Sequence, residues 1–152
     1  MFTLVTSATL GVAVASLLLM ASRSHWRQRR LVGEFRRVYG AEGKDLLAVY
    51  TDSPHWQDHI ERQWLSRWAD RAVVLNRTRP WQGKQLEARV WHGLAGIVEH
   101  TPVAIVIPVS GPVTVVRFFR AFLDLKHGKG ERLHAAEKEL EVALAGSADH
   151  AA

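Results

Sequence analysis

The sequence predicts an α/β protein: an N-terminal transmembrane helix followed by a small Rossmann-like domain with a three-stranded parallel sheet and a C-terminal helix. Two observations carry this expectation. Residues 2–21 form a run of twenty residues without a charge. After it, three short apolar runs alternate with segments whose apolar residues recur every three or four positions. That alternation is the pattern of parallel strands joined by right-handed helical crossovers.

The uncharged run comes first. Twenty residues at the helical rise span roughly 30 Å, the thickness of a hydrocarbon core. A helix is the form that satisfies its own amides there. A cleaved signal peptide fits less well, because no positive charge precedes the run and no small-x-small site ends it. Arginines follow the run and none precedes it, so the positive-inside rule predicts an outside N-terminus and a cytoplasmic domain. Trp26, Arg27, Arg29 and Arg30 fall at the depth of a membrane surface, where an indole and guanidinium groups meet anionic lipid headgroups. Ser7, Gly11 and Ala15 recur every four residues along one side of the helix. Small residues at that spacing let a second membrane helix approach closely, so other membrane protein subunits are the expected partners.

Beyond the anchor (1–22), a basic connector is expected over 23–44, with a short helix at 31–39. The α/β domain follows at 45–146 and a flexible tail at 147–152. Residues 46–51 (Leu-Leu-Ala-Val-Tyr-Thr) read as a buried strand. Asp52-Ser53-Pro54 offers a capping oxygen and a first-turn proline, so a helix is predicted over 54–70 with Trp56, Ile60, Trp64 and Trp68 on one face. A second strand falls at 72–76 and a helix at 82–99. The β-branched run within 102–109 is the third strand. Ser110-Gly111-Pro112 resembles another helix start, predicting a helix to 126. Gly128 and Gly130 interrupt the chain before a last helix at 131–145, which Gly146 is expected to end.

Composition narrows the function classes. The chain has no cysteine, which excludes disulfides, thiolate metal sites and a thiol nucleophile. Its net charge is +5, yet residues 23–44 hold seven basic and two acidic residues, while 45–152 hold 13 of each. The domain itself is neutral, so no broad footprint for a nucleic-acid backbone is expected.

Ligands of such sheets bind beyond the carboxyl ends of the strands. There the sequence places Asp52, Ser53, His55, Arg77 and Ser110, a set able to hold a phosphate at helix N-termini. Capping and turn chemistry predict the same residue types, so the set is not diagnostic. No glycine-rich phosphate loop follows a strand, and neither serine sits in a nucleophile elbow. His55 and His59 lie four apart but lack a third metal ligand. No catalytic residue, metal or cofactor is therefore expected. The predicted role is a non-catalytic, single-pass accessory or scaffolding subunit of a membrane complex. A membrane-tethered domain binding a phosphorylated compound at the strand ends is the alternative.

Overall fold

The computed structural model describes the backbone of residues 3–96 and 100–149, with side chains for Met20, residues 22–96 and residues 100–148. Four strands make one mixed sheet: β1 (Leu46–Tyr50), β2 (Ala72–Asn76), β3 (Val103–Val106) and β4 (Thr114–Arg117), in the order β2-β1-β3-β4. β1 and β2 run parallel, with Leu46 opposite Ala72. β3 is antiparallel to β1 and to β4.

This corrects the three-stranded parallel, Rossmann-like sheet. The physical reason lies in residues 110–117. Ser110-Gly111-Pro112 sits in the connection between antiparallel strands, not at a helix start. Gly111 adopts a φ of 90°, which glycine reaches without a Cβ penalty. The β-branched residues Thr114, Val115 and Val116 then pair along β3, with Val116 opposite Ala104. The helix expected to open at 112 starts only at α5 (Phe119–Lys126).

Both faces of the sheet are covered, so every residue of β1 is buried. One face packs Leu46, Tyr50, Val106 and Val116 against Trp56, Ile60, Trp64, Phe122 and Leu140. These come from the helical run after β1, from α5 and from α6 (Glu131–Asp149). The opposite face packs Leu47, Val49, Leu75 and Ile105 against Phe35, Ala88 and Trp91. These helical residues belong to α1 (Thr3–Val38) and α4 (Leu86–Leu94).

The helix expected over 54–70 is irregular. It consists of α2 (Gln57–His59), a π-helical stretch (Ile60–Leu65), α3 (Ser66–Trp68) and a closing 3₁₀ turn (Ala69–Arg71). Its aromatic face still enters the core, where the Trp64 ring centroid lies 4.3 Å from that of Phe118. The helix expected over 82–99 is shorter, because Gly96 takes a φ of 106° just after it. Ile97 and Val98 lie outside the described residues. α6 passes through Gly146, and Ser147 on its last turn is buried.

The N-terminal segment is a further correction. Among the described residues, no helix is long and apolar enough to cross a membrane. The single-pass anchor, and the outside–cytoplasmic topology read from it, are not supported. One helix runs from Thr3 to Val38, straight through the arginines, and its last turns bring Leu31, Val32 and Phe35 onto the sheet. Its described part is therefore a charged helix packed on a domain at one end. Ser7, Gly11 and Ala15 lie outside the described side chains.

Candidate functional site

The strand ends are the first place to look. β1 and β2 finish side by side, so the loops bearing Asp52 and Arg77 do meet. Their polar groups are occupied by one another. The Asn76 side-chain amide donates to Asp52 Oδ1, and the Asp52 backbone N–H donates to Thr78 Oγ1 at 2.9 Å. Thr78 N–H in turn donates to Asn76 Oδ1 at 3.0 Å. Trp56 Nε1 closes the loop by donating to the Thr51 carbonyl at 3.0 Å. Ser53 Oγ accepts from the His55 backbone N–H at 3.4 Å, while the His55 side chain is exposed. This is the internal closure that turn chemistry produces, while α2 itself begins after Trp56 without a side-chain cap.

Two members of the expected set are elsewhere. Because β3 runs against β1, its C-terminal loop with Ser110 lies at the opposite end of the sheet. There Arg36 Nε and Nη2 donate to the carbonyls of Pro108 and Gly111, at 2.7 and 2.8 Å. Arg77 joins the strand ends only through its backbone N–H, which donates to Tyr50 O at 2.8 Å. Its guanidinium lies over the Trp91 ring, 4.5 Å from the centroid. His59 does not face His55 in a metal site. Its Nε2 lies 2.6 Å from Glu137 Oε1, which also accepts from Trp64 Nε1 at 3.1 Å. Among the described residues, no three histidine or carboxylate side chains gather as metal ligands.

Two tyrosine hydroxyls are held in their neutral form. Burial, and then Glu61, push the Tyr50 hydroxyl up to about 12. Tyr39 is also pushed upward, first by burial and then by its hydrogen bond to Glu87.

The second place is a cleft of about 730 Å³ between α1 and α4, with Arg23, Arg27, Arg30, Arg89 and His92 in its walls. The elements that form it are fixed. Gln28 Nε2 donates to the Gly93 carbonyl at 3.0 Å, tying the helices together. Gly93 permits this approach, because a Cβ there would stand 2.3 Å from Leu31 Cδ1. Arg89 grips Glu34 through two bonds of 3.0 and 2.7 Å, and that grip holds the Glu34 carboxyl below the usual carboxylate range. Among the described residues, Arg23, Arg27 and Arg30 form no salt bridge. Arg29 is exposed, and Trp26 is 69% exposed.

His92 sits between two indoles, 4.2 Å from the Trp91 ring and 6.1 Å from that of Trp81. Burial, then the Arg77 charge, push its pKa down and favour the neutral ring. Among the described residues, Arg77 Nε, Trp91 Nε1 and His92 Nδ1 are buried without a hydrogen-bond partner. Three such atoms in one cluster, beside a cationic cleft, mark this as an unsatisfied region of the domain.

Compared with known proteins, the chain matches no family, no curated protein and no solved structure. Sequence reasoning singled out Arg27 and Arg30 as membrane-surface residues, not as the wall of a cleft, and gave Arg89, Gln28 and His92 no part in a site. The available signal was the pairing of a basic helix with a glycine-bearing helix. It becomes visible only once both are known to cover the same face of the sheet.

Proposed function

We propose that the chain is a non-catalytic accessory or scaffolding module that joins other protein subunits through the outer part of α1. One observation carries this reading. The last turns of α1 are set in the core through Leu31, Val32 and Phe35, while Met20 and Trp26 stand 68% and 69% exposed on the same helix. A tryptophan costs little conformational entropy to dock and is enriched at the energetic centres of interfaces. A helix set firmly in the core over its last turns, with an exposed indole shortly before them, suits recognition of a partner. The polar groups at the strand ends are bonded to one another, which makes those loops poor candidates for chemistry.

The test is sizing of the full chain isolated from its native cells, beside a Trp26→Glu variant. Trp26 is exposed, so the variant is expected to keep the wild-type circular dichroism spectrum. The wild type is expected in a stoichiometric assembly that the variant fails to enter. A wild-type chain that migrates alone, or a variant that assembles equally well, contradicts the proposal.

A further inference from the structure

The arginines of α1 do more than mark its exposed side. Arg23, Arg27 and Arg30 converge with Arg89 on one cleft, and its volume of about 730 Å³ falls within the range of small-molecule sites. Like charges brought together raise the energy of the empty site, and an anion relieves that repulsion. Glu34 balances part of this repulsion, since its carboxylate takes both arms of Arg89 and feels the charges of Arg37 and Arg30. The lining of the cleft itself holds four arginines and, among the described residues, no carboxylate.

The cleft is also built and not merely crowded. The Gln28–Gly93 hydrogen bond and the contact between Leu31 and bare Gly93 set the distance between α1 and α4. The Glu34 carboxylate fixes the Arg89 guanidinium before any ligand arrives. A second cavity of about 550 Å³ shares Arg30 and Arg89 and adds Arg37 and Glu34, so three arginines and one carboxylate carry a net positive lining further along the helix. Preorganised cations lower the ordering cost of binding.

The donor chemistry selects the ligand class. Guanidinium groups match pairs of phosphate oxygens through two parallel hydrogen bonds. One phosphoryl group cannot satisfy the three forks of Arg23, Arg27 and Arg30 together with the N–H groups that Glu34 leaves open on Arg89, whereas two or more adjacent groups can. We propose that the cleft between α1 and α4 is a binding site for an anion carrying at least two phosphoryl groups, held by Arg23, Arg27, Arg30 and Arg89. Such groups occur on free compounds and on lipid headgroups, and the site reads the chemistry they share. The site stands independently of the partner-docking role of Trp26.

The experiment uses the purified full chain. Isothermal titration with inorganic pyrophosphate and tripolyphosphate forms one arm. Co-sedimentation with phosphatidylcholine vesicles containing a phosphatidylinositol bisphosphate forms the other. Saturable binding is expected in at least one arm. The Arg27→Gln/Arg30→Gln variant should bind about tenfold more weakly or worse, the scale of one lost charge-assisted hydrogen bond. Lys129→Gln/Lys138→Gln removes the same charge from exposed positions elsewhere and should bind like the wild type. Binding to the soluble anions alone identifies a free compound, binding to vesicles alone identifies a headgroup, and binding to both supports recognition of the phosphoryl groups themselves. No binding in either arm, or equal weakening in both variants, overturns the proposal. Wild-type-like binding by the Arg27→Gln/Arg30→Gln variant overturns it as well.

Discussion

The ends of the sheet and the cleft between α1 and α4 use the same kinds of side chain to opposite effect. At one end of the sheet, Asp45 is 7% exposed and receives both arms of Arg71, at 2.9 and 2.5 Å, together with the Ser147 hydroxyl. At the other, Asp52, Asn76 and Thr78 bond to one another. Among the described residues, three arginines of the cleft have no salt bridge and three buried nitrogens beside it lack partners. Closed networks hold a fold together, and open ones are available to something outside it. The difference explains why the loops that look functional in the sequence are structural here.

The comparison is tested most severely at Asp45. Arg71→Ala leaves a buried carboxylate without its cation and should cost roughly 3–5 kcal/mol in urea unfolding. An effect below about 1 kcal/mol would show that this end is not closed as described. At the other end, Asn76→Ala removes the link between Asp52 and Thr78 and should cost about 1–3 kcal/mol by the same measurement. Gly93→Ala sets a Cβ 2.3 Å from Leu31 Cδ1. The end of a leucine can move, so the expected cost is about 1 kcal/mol, at the low end for overpacking. The cleft should behave differently. Arg27→Gln/Arg30→Gln should change stability by no more than about 0.5 kcal/mol, as for surface positions without partners.

The smallest effect is one of pH. The His92 pKa is lowered in the folded chain, so the unfolded chain takes up the proton more readily. Its contribution to stability is present above about pH 6.5, the ordinary histidine value. It is lost as the pH falls through the folded pKa. His92→Gln should therefore flatten the fall in urea midpoint between about pH 7 and pH 5. An unchanged slope would remove His92 from the buried cluster.

Much of the fold was legible because local chemistry and tertiary packing agree. Leu46 to Tyr50 is an unbroken apolar run and becomes a strand buried on both faces. Ile60 and Trp64 are four apart and both enter the core. The fourth strand was hidden because Ser110-Gly111-Pro112 satisfies the rules for a helix start and for a strand connection alike. Only the β-branched residues after it decide between them. The N-terminal run suggested a membrane span because its uncharged length was read apart from the arginines that continue the same helix. Asp52 and Arg77 follow the adjacent ends of β1 and β2, but Arg77 turns its guanidinium toward Trp91. The cleft needed a pairing of α1 with α4, across 55 residues between Glu34 and Arg89, and no local pattern encodes a contact of that kind.

The contrast between closed sheet ends and an open cleft is read most directly by the side-chain Nε–H resonances of the arginines. They can be followed by NMR in ¹⁵N-labelled full chain as inorganic pyrophosphate is added. Saturable shifts are expected for Arg23, Arg27, Arg30 and Arg89, with Arg71 unmoved. Shifts spread evenly over Arg62, Arg67 and Arg132, or no saturable shift at the cleft, would contradict it.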